Sequence, residues 1–300
     1  MASWVIVGAG YTGGALARRQ AAEGHEVVAT RRQPAEGHEF AATRRQAAET
    51  VAGRSDSAPA SPATIQLDLA RPSDHRFPGA IVVCCAPPGP DPAAEMTNLV
   101  ALGGERIVYV SSTGVYAPGG GAWVDETWPL APTTASGRAR LAAETALLAA
   151  SGTATASTAS TETPPRIFLL RAAGIYGPGR GLVERIRAGT YRIIGDGRAH
   201  VSRIHVDDLV EAIVRAGIST TSGAFNVADD DPAPIGEVAD AVAAHYRLPP
   251  PPRVPASSVD REIAGMLSAD RRIANGRMKR ELGVVLRYPS WRSYLPPRGS

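Results

Sequence analysis

The sequence predicts a doubly wound α/β fold, an open parallel sheet with helices on both faces, and three observations carry that prediction. Short apolar runs of strand length alternate with helix-like segments along most of the 300 residues. A glycine-rich turn, Gly8-Ala9-Gly10-Tyr11-Thr12-Gly13-Gly14, stands directly between the first apolar run and the first helical segment. Polar residues of ligand-binding type gather just past the ends of the later runs, which is where open α/β sheets bind their ligands.

The first run, Ser3-Trp4-Val5-Ile6-Val7, suits a buried strand. The glycines behind it meet the needs of the phosphate-binding end of a Rossmann-type unit. Gly8 allows a sharp turn, Gly10 lets backbone approach a pyrophosphate, and Gly13 lets helix and strand pack closely. Tyr11 and Thr12 open the helix, whose N-terminus presents free N–H groups and a positive dipole end, and they join the cofactor-binding set. The competing reading is a glycine turn with no ligand. Apolar and alanine positions carry the helix from Thr12 to Glu23, and Gly24 stands where a C′ glycine belongs.

His25 to Thr30 reads as the second strand. Where an NAD enzyme of this type has an acidic residue for the ribose 2′-hydroxyl, this chain has Arg31 and Arg32. Two guanidinium groups suit a 2′-phosphate, so NADP is the expected cofactor, against the alternative of two solvated arginines on a loop. From Arg18 to Glu49 the sequence repeats with a period of 13, so Arg44 and Arg45 duplicate the pair. The period is too short for a solenoid. The first copy follows Gly24 directly and is expected to form the strand, because using the second would run the helix through Gly24 to Pro34. The second copy then reads as a silent surface insertion.

A Ser/Ala/Pro-rich loop over Gly53 to Thr64 leads to a third strand, Ile65 to Leu69, with Asp68 near its end as a further cofactor contact. Ala80 to Ala86 is the fourth, apolar throughout as a central parallel strand should be, and it runs into Pro87-Pro88-Gly89-Pro90. Arg106 to Ser112 is the fifth and enters Thr113-Gly114-Val115-Tyr116. A helix over Ser136 to Ala150 and a Thr/Ser/Ala-rich connection over Ser151 to Pro165 precede the sixth strand, Ile167 to Arg171. Gly174 to Arg180 and Arg203 to Leu209 follow, and Asp207 is a candidate cap for a helix running through Ala216. Ala224 to Ala228 reads as a strand, Ile235 to Tyr246 as an amphipathic helix, and Ala269 to Leu282 as a basic helical segment.

Composition bounds the function. Hydrophobic residues at 44% and charged residues at 20% fit a globular chain long enough to bury a core. A net charge of +3 with scattered arginines is too mild for a nucleic-acid partner. The only cysteines, Cys84 and Cys85, are adjacent, which argues for a reducing compartment and against a disulfide framework; they are expected to be inert. No run of 18 apolar residues points to a membrane, and a cytoplasmic monomer or homodimer acting on a small molecule, without a metal, is the expectation.

Several stretches together resemble the extended short-chain dehydrogenase/reductases, the NAD(P)-dependent epimerase/dehydratase group. They are the Gly8 loop, VYVSSTGVY at 108–116, LLRAAGIYGPGR at 169–180, RIHVDDL at 203–209, FNVADDDP at 225–232 and ADRRIANGRMKRELG at 269–283. The resemblance implies a Rossmann-type NADP-binding domain over residues 1–175 with 202–228, and a smaller substrate-binding part over 176–201 and 229–300. It implies that Ser112 hydrogen-bonds the reacting oxygen. It also exposes a departure: where that group has Tyr-x-x-x-Lys, the helix here carries Ser136 and Arg140. A serine hydroxyl is a far weaker acid than a phenol, and arginine does not tune as lysine does. The sequence is therefore most similar to atypical members of the superfamily. Tyr116 is the nearest phenol that could substitute as the acid, against a reading as a packed structural aromatic. Arg140 would hold ribose or a carboxylate, and Thr113, Ser136, Tyr176, Arg180, Arg203 and His205 are candidate substrate contacts, with a structural His205 and solvated arginines as the competing readings. Three functions remain open: an NADPH-dependent reductase of a carbonyl-type substrate, an epimerase or dehydratase using its cofactor transiently, and a non-catalytic NADP-binding redox sensor.

Overall fold

Val5, Ile6 and Val7 are at most 3% exposed, which puts the first apolar run in the middle of a sheet rather than at its edge. The computed structural model describes residues 1–31, 62–153 and 164–295. Arg32, the Arg44-Arg45 copy, most of the Gly53–Thr64 loop and most of the Ser151–Pro165 connection lie outside the described residues.

In chain order the elements begin with β1 (Ser3–Val7), α1 (Tyr11–Ala22), β2 (Glu26–Arg31), β3 (Ala63–Gln66), β4 (Ile81–Cys84), α2 (Pro92–Val100) and β5 (Arg106–Ser112). They continue with β6 (Trp123–Val124), α3 (Ala135–Thr153), β7 (Arg166–Ala172), β8 (Gly174–Tyr176), α4 (Leu182–Arg187), β9 (Ile193–Ile194), β10 (His200–Val201), β11 (Arg203–His205) and α5 (Val206–Ile218). The last are β12 (Gly223–Val227), β13 (Ala233–Pro234), α6 (Ile235–His245), β14 (Arg253–Val254), α7 (Arg261–Leu267), β15 (Arg272–Ile273) and α8 (Gly276–Leu282).

Seven strands form one sheet in the order β12-β7-β5-β4-β1-β2-β3, every neighbouring pair parallel. The chain moves outward from β1 in one direction through β2 and β3, and in the other through β4, β5, β7 and β12. The switch point of this doubly wound sheet therefore lies between β1 and β4, and the crevice outside their C-terminal ends is the expected ligand site. The side-chain period of two divides β1 between two cores. Trp4 and Ile6 face one with residues of α1, α5 and α8, and Val5 and Val7 face the other with residues of α2 and α3. Each fully buried side chain of this size contributes about 1.5–3 kcal/mol. A further apolar cluster joins Tyr176, Ile186, Tyr191, Ile193, Val238 and Trp291, drawn from α4, α6 and the segments around them.

Three local expectations change. β3 stops at Gln66, so Asp68 lies in the turn beyond it, where its carboxylate accepts the Ala70 N–H at 3.2 Å. The cap of α5 is His205, whose Nδ1 accepts the Asp207 N–H at 3.2 Å, and Asp207 sits inside the first turn. The Ala269–Leu282 segment is split: β15 pairs with β6, Asn275 donates to the carbonyls of Ala228 and Asp229, and helix resumes only at Gly276. Among the described residues no helix is long and apolar enough to cross a membrane.

Candidate dinucleotide and substrate cleft

The glycine turn has the shape its sequence requires. Gly8 has φ +87°, and a Cβ there would stand 2.8 Å from the Ala86 nitrogen on β4's exit. Gly13 leaves no room for a Cβ beside the Gly8 carbonyl, so α1 packs tightly on the turn. Gly10, in contrast, has nothing within 4 Å of its Cβ position, which leaves its outer side open to a phosphate. The N-terminus of α1 has no side-chain cap and no acidic residue in its first turn. Free N–H groups, a positive dipole end and open space on one side are what a pyrophosphate needs. The residues present fit a dinucleotide.

Arg31 ends β2 with its side chain exposed, one residue past Thr30, whose hydroxyl accepts the Gly8 N–H at 3.4 Å. A small cavity of about 40 Å³ lies at the switch point, lined by Thr30, Leu67, Leu69, Ala86, Glu95 and Met96 among others. Asp68 lies between Leu67 and Leu69 in sequence and does not itself line the cavity. Arg32 lies outside the described residues.

On the far side of the crevice, β5 ends at Ser112, whose Oγ accepts the Gly114 N–H at 3.0 Å and so keeps its own O–H as a donor. Thr113 follows in a single 3-10 turn, and its carbonyl accepts from the Arg271 guanidinium at 3.0 Å. The start of α3 lies close to this turn because Gly137 has no room for a Cβ against the Gly114 carbonyl. Ser136 and Arg140, one turn apart on α3, share a face. Arg140 reaches back into the cleft, donating to the Val110 carbonyl at 2.7 Å and to the Tyr109 hydroxyl at 3.3 Å. The Ser136 hydroxyl is bonded to Glu262 of α7, whose carboxylate also accepts the N–H groups of Ala135 and Ser136 at 2.8 and 2.9 Å. Hydrogen bonds from Ser136 hold Glu262 below the usual carboxylate range.

Tyr116 is not in the cleft, and its expected role as acid is corrected. Val115 and Tyr116 are both fully buried, since the 3-10 turn directs them into the core. The Tyr116 hydroxyl donates to Asn226 Oδ1 at 2.7 Å and accepts from Arg171 Nη1 at 3.0 Å. Arg171 in turn pairs with buried Glu144 at 2.8 Å, and Glu144 accepts from Ser111 at 2.5 Å. Burial pushes the Tyr116 phenol up to about 12. Both of its hydrogen-bonding roles are taken, so it is a structural link between β5, β7 and β12.

The remaining candidates gather around β8 and β11, which pair in parallel with Arg203 beside Gly174 and His205 beside Tyr176. Arg180 lies exposed over the Tyr11 ring at 5.2 Å, and Tyr11 donates to the Pro178 carbonyl at 3.2 Å, which ties this segment to the glycine turn. His205 is 1% exposed, packed at 3.8 Å on the Tyr288 ring and edge-on to Tyr176. Burial lowers its pKa, and Nδ1 accepts from Asp207, so the neutral ring carries its proton on Nε2. Arg203 is buried, at 9% exposure, which sets aside the competing reading of a solvated arginine there. Sequence reasoning missed Glu262, Tyr191 and Asp229. They come from segments distant in sequence, and only Asp229 lies in a recognised stretch.

Fold and site together define a dinucleotide-binding protein of the Rossmann class. The NAD dependent epimerase/dehydratase family matches residues 4–228, and the chain belongs to that family. A 3-diazoavenalumate denitrifying reductase of a Streptomyces species is 32% identical over 209 residues; the match spans 65% of this chain and 65% of that protein's length. The structure of a conserved protein of unknown function from Silicibacter pomeroyi is 30% identical, with a TM-score of 0.74 over 98% of this chain and 97% of that one. The human epimerase family protein SDR39U1, solved with NADPH, shares the fold at 19% identity and a TM-score of 0.74, over 98% of each chain.

Proposed function

We propose that this oxidoreductase is an NADPH-dependent reductase of a carbonyl-type small molecule, working as a monomer or homodimer in the cytoplasm. The carrying observation is the combination of an open phosphate cradle at Gly8–Gly13 with a donor at Ser112, beside an α3 face that offers serine and arginine in place of phenol and lysine. NADPH, when bound, supplies the hydride. The turn and the α1 N-terminus hold the pyrophosphate, and Arg31 with Arg32 reads the 2′-phosphate through charge-assisted bonds. Arg140, fixed by the Val110 carbonyl, presents its remaining N–H groups to the ribose. Ser112 donates to the substrate oxygen as negative charge develops there. Residues 1–175 and 202–228 form the cofactor half, and 176–201 and 229–300 enclose the substrate.

With Tyr116 in the core, the proton comes from solvent. A missing positioned acid costs about 10²–10⁴-fold, which favours an electrophilic substrate. Epimerisation is disfavoured because oxidising an alcohol needs a base, which α3 lacks. The Streptomyces relative, a reductase by name, supports the same direction. The test is NADPH consumption with a panel of aldehydes, ketones and other electrophiles. Turnover that falls about 10²-fold or more in Ser112→Ala is expected. Tight NADPH binding with no consumption on any compound would replace this reading with that of a non-catalytic sensor.

A further inference from the structure

The interior beneath β8 and β11 gathers polar groups that the cofactor cradle and Ser112 do not use. Arg203 is 9% exposed, yet its guanidinium makes one hydrogen bond, from Nη1 to the Val201 carbonyl at 3.3 Å, and has no ion pair among the described residues. The Asp229 N–H donates to the Arg203 carbonyl at 2.7 Å, and Tyr176 and Tyr191 lie close enough to act on its charge; the three are at 1%, 9% and 2% exposure. Both tyrosine hydroxyls and Asp229 Oδ2 are buried without a hydrogen-bond partner. Buried polar groups in folded proteins are nearly always paired, so several left together around an arginine point to a ligand group.

The chemistry of that group follows from the donors. A guanidinium has five N–H groups and no acceptor, and a phenol readily donates. Burial raises Asp229 to about 7, so near neutral pH its carboxyl is partly protonated. The set as a whole asks for an acceptor carrying negative charge. Asp229 and Asp231 lie close enough to act on Arg203, and a dianionic phosphate would set two charges against them, whereas a carboxylate sets one. The planar arginine fork also matches a carboxylate bidentately.

Position supplies the link to the cleft. Ala172 pairs in register with Ser112, and Tyr176 follows four residues later. Four residues reach at most about 14 Å and the strand spacing adds about 5 Å, so the backbone of this cluster lies within about 19 Å of Ser112. We propose that Arg203, with the hydroxyls of Tyr176 and Tyr191, binds the carboxylate of the substrate and holds its reducible end toward Ser112. This rests on reading the cleft as a reductase site.

The test is calorimetric titration of the full chain, saturated with NADP, by benzoate and cinnamate and by the matching amides. Saturable binding of the acids, with the amides about tenfold weaker or worse, is expected. Tyr191→Phe keeps the ring that packs in the core and should weaken acid binding about tenfold while leaving NADP affinity unchanged. Arg203→Lys keeps the charge but loses the fork and should weaken it further. Acids and amides binding alike, no saturable acid binding, or acid affinity unmoved in Tyr191→Phe would each overturn the proposal and leave water as the partner of these groups. Carboxylate binding without NADPH turnover would overturn the reductase reading alone. Turnover of neutral carbonyls by a chain indifferent to carboxylates would overturn only the anchor.

Discussion

Replacing Tyr116 by Phe separates a structural phenol from a catalytic one. The substitution keeps the buried ring and removes one oxygen, which accepts from Arg171 at 3.0 Å and donates to Asn226 at 2.7 Å. Arg171 retains its bonds to Glu144, and the Asn226 amide retains its donations to the carbonyls of Val124 and Ala274. What is lost is one partner for an Arg171 N–H and the donor to Asn226 Oδ1, each left in an interior where an unsatisfied polar group costs about 1–3 kcal/mol. The surviving bonds favour the lower half, so a destabilisation of about 2–4 kcal/mol is expected. At about 2–4 °C per kcal/mol for a chain near this size, the melting temperature should fall by roughly 4–16 °C. Thermal and urea unfolding measure the loss, and an NADPH titration with the oxidation rate at 20 °C measures function. Cofactor affinity and rate should stay within about threefold, far short of the 10²–10⁴-fold expected for losing a general acid. An unchanged melting temperature with a collapsed rate would refute the reasoning and return the phenol to the reacting atoms.

Gly13→Ala places a Cβ against the Gly8 carbonyl, so NADPH binding should be lost before the fold is, seen as a fluorescence titration that no longer saturates while circular dichroism is retained. Arg31→Ala should weaken NADPH about tenfold or more and leave NADH within a factor of two, since the 2′-phosphate alone distinguishes them; an unchanged preference would assign the phosphate elsewhere. Asp229→Asn should change the pH dependence of stability. Burial raises this carboxyl from 3.8 to about 7, so between those values the folded chain holds a proton that the unfolded chain releases, and stability falls as pH rises through that window. The variant should therefore match the parent in urea melts near pH 3.5, exceed it increasingly to pH 7 and hold a constant advantage above; a pH-independent difference would show that Asp229 titrates normally.

Most of the sheet was legible because its strands are buried on both faces and read as continuous apolar runs. Arg106–Ser112 has the bounds the residues suggested, and β7 and β12 differ from expectation by a residue at either end. The glycine turn was legible for a different reason: each of its three glycines answers a local steric need that the structure displays at Gly8, Gly10 and Gly13. Tyr116 misled because spacing along the chain says nothing about direction after a 3-10 turn. Its partners, Arg171 and Asn226, are 55 and 110 residues away. The short strand Arg272–Ile273 was hidden inside a helical pattern because its pairing with Trp123–Val124 is non-local.

The exchange of Tyr and Lys for Ser136 and Arg140 has a structural consequence that neither residue shows alone. Lysine beside a phenol acts through its charge on that phenol; here Arg140 is directed at the Val110 carbonyl and the Tyr109 hydroxyl, which fix its fork. The freed position on α3 is short enough for Glu262 to reach the first two amides of the helix and the Ser136 hydroxyl together. A carboxylate at a helix N-terminus is stabilised by the dipole and by those N–H groups, and its lowered pKa keeps it ionised. Glu262 is thus a poor proton donor near neutral pH, although it bonds the hydroxyl of Ser136, the residue at the tyrosine position of the motif. On the proposed reductase reading, the cleft keeps a donor to polarise an oxygen, Ser112, and lacks the group that would protonate it. For that division of labour to support turnover, the substrate has to accept hydride without a proton delivered in the same step.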